Sequence, residues 1–152
     1  MTRQGTPPEL SAFEGTWDLS RRITGPDGAE TARLEGTAAF LANGLGLKLT
    51  ETGVLTTGGA SVEASRTYFW RPGPDGIEVL FDDGSPFHTI GALPDVHHDC
   101  APDTYHGTYD FSDWPRWSLT WRVTGPRKDY ISTSRYCAQP GSRADRDAVS
   151  ET

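Results

Sequence analysis

The stretch that decides the fold is LKLTETGVLTTGGASVEASRTYFWRPGPDGIEVL, residues 47–80. Two turn sequences interrupt it, the pair Gly58-Gly59 and the loop at residues 73–76. The segments around them are rich in Leu, Val, Thr, Tyr and Trp, which is typical of short β-strands joined as hairpins. Both turns therefore predict antiparallel pairing of neighbouring strands.

The hairpins can be tested by the faces they create, since a one-residue slip would move every side chain of a strand to the opposite face. The two turns place Leu55 opposite Val62 and Trp70 opposite Val79, all on one face. The same rule applied to the other turn sequences extends this inner face through further predicted pairs: Leu19 with Leu34, Phe40 with Leu47, Glu51 with Arg66, Cys100 with Tyr105, His98 with Gly107, Gly107 with Trp121, and Trp121 with Tyr130.

Successive short-loop hairpins predict an all-β fold, an antiparallel up-and-down β-barrel of about ten strands, because closure removes exposed strand edges. A β-sandwich is the alternative. The barrel is expected over residues 11–137, between flexible segments at 1–10 and 138–152, which are polar and lack periodicity. About ten strands should enclose a cavity. The path of residues 82–94 is not predicted.

Composition narrows the class of protein. A chain of 152 residues fits one domain, and 14 Lys and Arg against 21 Asp and Glu give a formal charge of -7, which argues against nucleic acid as a partner. No apolar run would span a bilayer and the start lacks a signal peptide, so we expect a cytoplasmic location and no membrane partner.

Cys100 and Cys137 fall on non-neighbouring strands and are expected to be free thiols. A monomer and a homodimer are both open.

Three segments resemble known families. FEGTW, residues 13–17, resembles the first-strand signature of calycin barrels, the lipocalin, fatty-acid-binding-protein and nitrobindin type. FEGTWDLSR, the pattern H-x-C-x-x-D-x-Y from His98 to Tyr105, and WRVTGPRKDY at residues 121–130 are together similar to the uncharacterised domain-of-unknown-function family 6314. The resemblance implies a calycin-like barrel and supplies no activity.

The predicted interior is more polar than a packed core requires, and buried polar groups must be paired, hydrated or offered to a ligand. Glu51 and Arg66 face each other, either as an internal salt bridge or as a receptor in which Glu51 holds the guanidinium that receives an anion. His98 is a hydrogen-bonded interior histidine, a ligand contact or a proton carrier. The candidate catalytic residues are His98 and Glu51. The candidate ligand-binding residues are Arg66, Tyr68, Trp70, Cys100, Tyr105, Tyr109, Trp121, Lys128 and Tyr130.

These residues favour a small-molecule binding protein whose ligand is partly apolar and aromatic or anionic. A cofactor-independent isomerase, cyclase or hydratase using His98 is the alternative. A haem or metal barrel, with His88 or His98 as ligand, is a further alternative. We expect no cofactor and no metal, because alternation divides the histidines between the two faces.

Overall fold

The computed structural model describes residues 7–150, with side chains through residue 147. The flexibility predicted for residues 1–6 and 151–152 lies outside the described residues. A 3-10 helical turn at Leu10–Phe13 precedes ten strands, and a helix, α1, covers Arg143–Ser150. The strands are β1 Gly15–Thr24, β2 Glu30–Asn43, β3 Gly46–Thr57, β4 Ala60–Gly73, β5 Gly76–Phe81, β6 Pro86–Ile90, β7 Asp95–Cys100, β8 Asp103–Asp110, β9 Arg116–Thr124 and β10 Asp129–Ala138.

All ten strands form one antiparallel sheet in the order β6-β5-β4-β3-β2-β1-β10-β9-β8-β7. Strands adjacent in sequence pair with each other, except β6 and β7, and β1 also pairs with β10, which brings the two halves of the chain together. β6 and β7 flank a seam that, within residues 7–150, no backbone ladder bridges. The structure is thus a nearly closed, calycin-like barrel, and the predicted fold is confirmed.

Three predicted hairpin registers are confirmed. Leu55 pairs with Val62, Trp70 pairs with Val79, and Gly107 pairs with Trp121. The β3–β4 turn was predictable because Gly58 and Gly59 both adopt positive φ angles, 58° and 82°, the conformation that a tight two-residue hairpin turn requires.

Four other registers were predicted wrongly, each by two residues. The physical reason is loop length. Between β1 and β2, a register shift at Ile23/Thr24 makes the connection longer than predicted. Between β2 and β3, Asn43 is not a turn residue of the predicted kind but pairs with Gly46. A slip of two residues keeps every side chain on its face, so the predicted inner face survives. In the structure Leu19 pairs with Gly36, Phe40 with Leu49, His98 with Tyr105, Cys100 with Asp103, and Trp121 with Ser132.

An aromatic cluster closes one end of the barrel. The ring of Phe13 lies 5.1 Å from Trp70 and 5.4 Å from Trp117 between ring centroids, and the Trp17 indole donates a hydrogen bond to the Phe13 carbonyl. α1 covers the same end, with Ala144 buried in the core. Within the segment predicted as a flexible tail, residues 138–152, the structure forms α1. No helix in the described part of the chain is long and apolar enough to cross a membrane.

Candidate functional site

A cavity of about 130 Å³ lies inside the barrel, next to the aromatic cluster that closes one end. Its walls are the inward-facing side chains of strands from both halves of the barrel. The structure brings eight of the predicted site residues to this cavity: Glu51, Arg66, Tyr68, Trp70, Tyr105, Tyr109, Trp121 and Tyr130.

Three predicted site residues do not line the cavity. His98 is half-buried beside Phe87, with ring centroids 5.1 Å apart. Cys100, the last residue of β7, is exposed. Lys128 is exposed at the rim, 3.0 Å from the Asp103 carboxylate.

The buried centre of the site is an ion pair between Arg21 and Glu51, with 2.7 Å between Nη2 and Oε1. Arg21 Nε also donates to Ser134 Oγ over 2.6 Å, and the Tyr136 hydroxyl donates to Glu51 Oε2 over 2.5 Å. Both carboxylate oxygens of Glu51 are therefore occupied. Burial opposes the charge of Arg21, but its neighbours Tyr136 and Glu51 outweigh burial and raise the pKa of Arg21 above its ordinary value.

Small side chains on β2 leave room for this contact. Arg21 on β1 and Glu51 on β3 are separated by β2, whose inward positions include Gly36 and Ala38. Gly36 also faces Gly53, and a Cβ on Gly36 would lie 1.9 Å from the Thr52 carbonyl oxygen. Because nothing bulky stands between them, the long arginine side chain reaches across β2 to the carboxylate.

The predicted ion pair between Glu51 and Arg66 is wrong, although their strand register is right. Arg66 lines the cavity, is exposed, and makes no ion pair or hydrogen bond within residues 7–147. The Glu51 carboxylate turns to Arg21, which Ser134 on β10 holds in position. The guanidinium of Arg66 is therefore available to a ligand.

His88 is a buried neutral base in the cavity wall. Burial, and next the electrostatic interaction with nearby His98, lowers the pKa of His88 to about 3. A hydrogen bond of 2.8 Å joins its Nε2 to the Tyr109 hydroxyl, and its Nδ1 has no partner among the described residues. Within residues 7–147, no three His, Cys, Asp or Glu side chains are grouped to hold a metal ion.

The cavity lining carries a net positive charge. Burial, and next the charge of Glu51, raises the pKa of both Tyr109 and Tyr136 well above 10, so both hydroxyls keep their protons. The charged lining residues are then Arg21 and Arg66, +2, and Glu51, -1, which sum to +1. The whole chain has a formal charge of -7, so the interior has the opposite sign from the protein.

Sequence reasoning missed Arg21 as a site residue. The signal was present, because Arg21 continues the odd-numbered inward positions Trp17 and Leu19 of β1. It also missed the inward placement of both Phe87 and His88, which strict alternation along a strand forbids.

A nearly closed ten-stranded barrel with a polar, aromatic-walled interior is a calycin-like fold. The chain belongs to the family of unknown function DUF6314, whose model matches residues 13–138. The resemblance given by FEGTWDLSR, the His98–Tyr105 pattern and residues 121–130 is thereby confirmed.

Two solved structures share this fold. One is the S-type phycobiliprotein lyase CPES from Guillardia theta, with a TM-score of 0.55 and 5% identity over 88% of this chain and 92% of the lyase. The other is a protein of unknown function from the DUF3598 family of Nostoc punctiforme, with a TM-score of 0.52 and 10% identity over 88% of this chain; the match spans about half, 49%, of that protein. A search of curated proteins found no similar sequence.

Proposed function

We propose that the protein binds a small, partly apolar molecule with an anionic group inside the barrel. The observation that carries this proposal is the +1 charge of the cavity lining in a chain of charge -7. Arg66 supplies that charge at an exposed position without a partner of its own among the described residues. A guanidinium presents paired N–H donors that match a carboxylate.

The walls favour an aromatic ligand. Trp70, Trp121 and Tyr68 line the cavity, and flat aromatic faces stack on planar rings. A volume of about 130 Å³ is close to that of an apolar cavity of about 150 Å³ that holds benzene. A single ring therefore fits inside, with its anionic substituent directed towards Arg66.

An acid–base enzyme is the second candidate, with His98 and Glu51 as its proposed catalytic residues. The lyase among the solved structures is, by its name, an enzyme built on a barrel of this shape. Glu51 would first have to give up hydrogen bonds from Arg21 and Tyr136 to accept a substrate proton. A binding role requires no such rearrangement, so we favour it.

Native mass spectrometry tests the proposal. The purified protein is incubated with a metabolite extract, and bound masses are compared for wild type, Arg66→Ala and Arg135→Ala. Arg135 is an exposed arginine of β10 that does not line the cavity, so its substitution removes the same charge elsewhere. We expect Arg66→Ala alone to weaken retention about tenfold or more, because hydrogen bonds to charged groups contribute roughly 1.5–3 kcal/mol.

The same spectra separate binding from catalysis. A ligand of unchanged mass, lost in Arg66→Ala and kept in Arg135→Ala, supports binding. A ligand whose mass changes only when His98 is intact, tested with His98→Ala, supports the enzyme. Equal retention by Arg66→Ala and Arg135→Ala would contradict the role given to Arg66, and no ligand under any condition would contradict a binding cavity.

A further inference from the structure

Phe87 occupies an irregular position in β6. Leu80 pairs with Pro86 and Val79 pairs with His88, so Phe87 is an extra residue with no partner on β5. A bulge of this kind changes the direction in which side chains point. As a result, the consecutive residues Phe87 and His88 both line the cavity.

The Phe87 ring contacts residues that line two different spaces. On one side it stacks on Trp121, which lines the cavity, at 5.1 Å and 15°. It also stacks on Phe81, at 4.4 Å and 21°, and Phe81 lines a groove on the outside of the barrel. Arg66 and Tyr68 line both the cavity and the groove. Removal of the Phe87 ring would therefore join the two spaces along a path bordered by Arg66.

β6 has a backbone ladder on one side only. Pro86, His88, Thr89 and Ile90 pair with β5, whereas no ladder in the described chain joins β6 to β7. Gly84, with φ of 86°, lies in the turn before the strand. A short strand at an unpaired edge loses few backbone hydrogen bonds when it shifts, and Phe87 has no ladder partner to lose.

We propose that the Phe87 ring occupies the position that an aromatic ring of the ligand takes when the ligand binds. On this view, which rests on the proposed function, a planar aromatic carboxylate of two fused rings displaces Phe87, stacks on Trp121 in its stead and places its carboxylate at Arg66. Stacking on Trp121 is lost by one ring and regained by another, which offsets that part of the cost of the exchange. The ligand class is therefore larger than the cavity of about 130 Å³ admits.

Binding of 2-naphthoate, measured by titration calorimetry, tests the displacement. Its saturated analogue, decahydro-2-naphthoate, has the same carboxylate and skeleton but no planar ring. The variants are Phe87→Ala, Phe87→Trp and, as control, Thr89→Ala, an exposed position of the same strand. We expect Phe87→Ala to bind 2-naphthoate about tenfold more tightly than wild type, Phe87→Trp to bind it more weakly, and Thr89→Ala to match wild type. The increase in affinity from wild type to Phe87→Ala should be several-fold smaller for decahydro-2-naphthoate.

A second measurement follows the ring itself. With 4-fluorophenylalanine at position 87, the ¹⁹F resonance should shift when 2-naphthoate binds, because the ring leaves the face of Trp121. Weaker binding by Phe87→Ala, or an unmoved resonance at saturation, would show that Phe87 is a fixed wall and would overturn the inference. The proposed function would survive that result if Arg66→Ala still lost its ligand in the mass spectra. If no variant bound 2-naphthoate and no metabolite was retained, both proposals would be wrong.

Discussion

Acid should destabilise this fold through His88. Its pKa is lowered to about 3 in the folded protein, by burial and then by the electrostatic interaction with His98, whereas an unfolded histidine titrates near 6.5. Above pH 6.5 the residue is neutral in both states. Below it the unfolded chain binds a proton that the folded chain refuses, so the free energy of unfolding falls as the pH drops towards 3. The loss is about 1.4 kcal/mol per pH unit, or about 2 kcal/mol between pH 7.5 and 5.

Urea denaturation at several pH values between 7.5 and 5 measures this loss, in a range above the titration of most carboxylates. We expect His88→Asn to remove most of the slope, because its amide does not titrate. The control is His97→Asn, an outward-facing histidine whose side chain is 47% exposed, and its slope should match that of wild type. A wild-type slope in His88→Asn would refute the assignment of a buried neutral histidine.

Two further substitutions test the packing of the site. Arg21→Met leaves the carboxylate of Glu51, which is 4% exposed, without its counter-ion, and urea unfolding should show a loss of about 3 kcal/mol. The matched Arg71→Met removes an exposed ion pair and should cost under about 1 kcal/mol; equal losses would contradict burial of the first pair. Gly107→Ala would place a Cβ 2.7 Å from the Trp121 ring and should cost about 1–3 kcal/mol, seen as a lower melting temperature. An unchanged melting temperature would mean that the Trp121 indole moves aside without a cost in stability.

The inner face of the barrel was predictable because side chains alternate between the two faces of a strand. A register error of two residues, the commonest error here, therefore does not change which face a side chain is on. Turn sequences locate a hairpin but do not fix its loop to the residue, as the Asn43–Gly46 connection illustrates. An error of two residues moves the partner of Leu19 from Leu34 to Gly36 and leaves every side chain facing the same way. Where the turn geometry was fixed by Gly58 and Gly59, the register itself was right.

Side-chain ion pairs that cross the barrel interior could not be predicted from the registers of neighbouring strands. Glu51 lies opposite Arg66 on the neighbouring strand, yet its ion pair is with Arg21, two strands away in the other direction. That choice depends on the curvature of the sheet and on the space left by Gly36, which a list of hairpins does not contain. The consequence for function is direct, because the residue left without an ion pair in the described chain is the one at the cavity mouth.

The segment around residues 86–90 resisted prediction for a different physical reason. Alternation requires Phe87 and His88 to point to opposite faces, and the bulge places both in the cavity wall. The Phe87 ring stacks on Phe81 and Trp121 at the end of the core away from the cluster around Phe13. Natural proteins depart from a local sequence pattern most often at functional or strained sites. The bulge therefore singles out β6, at the seam, as the part of the wall to test for ligand contact, independently of the charge argument that points to Arg66.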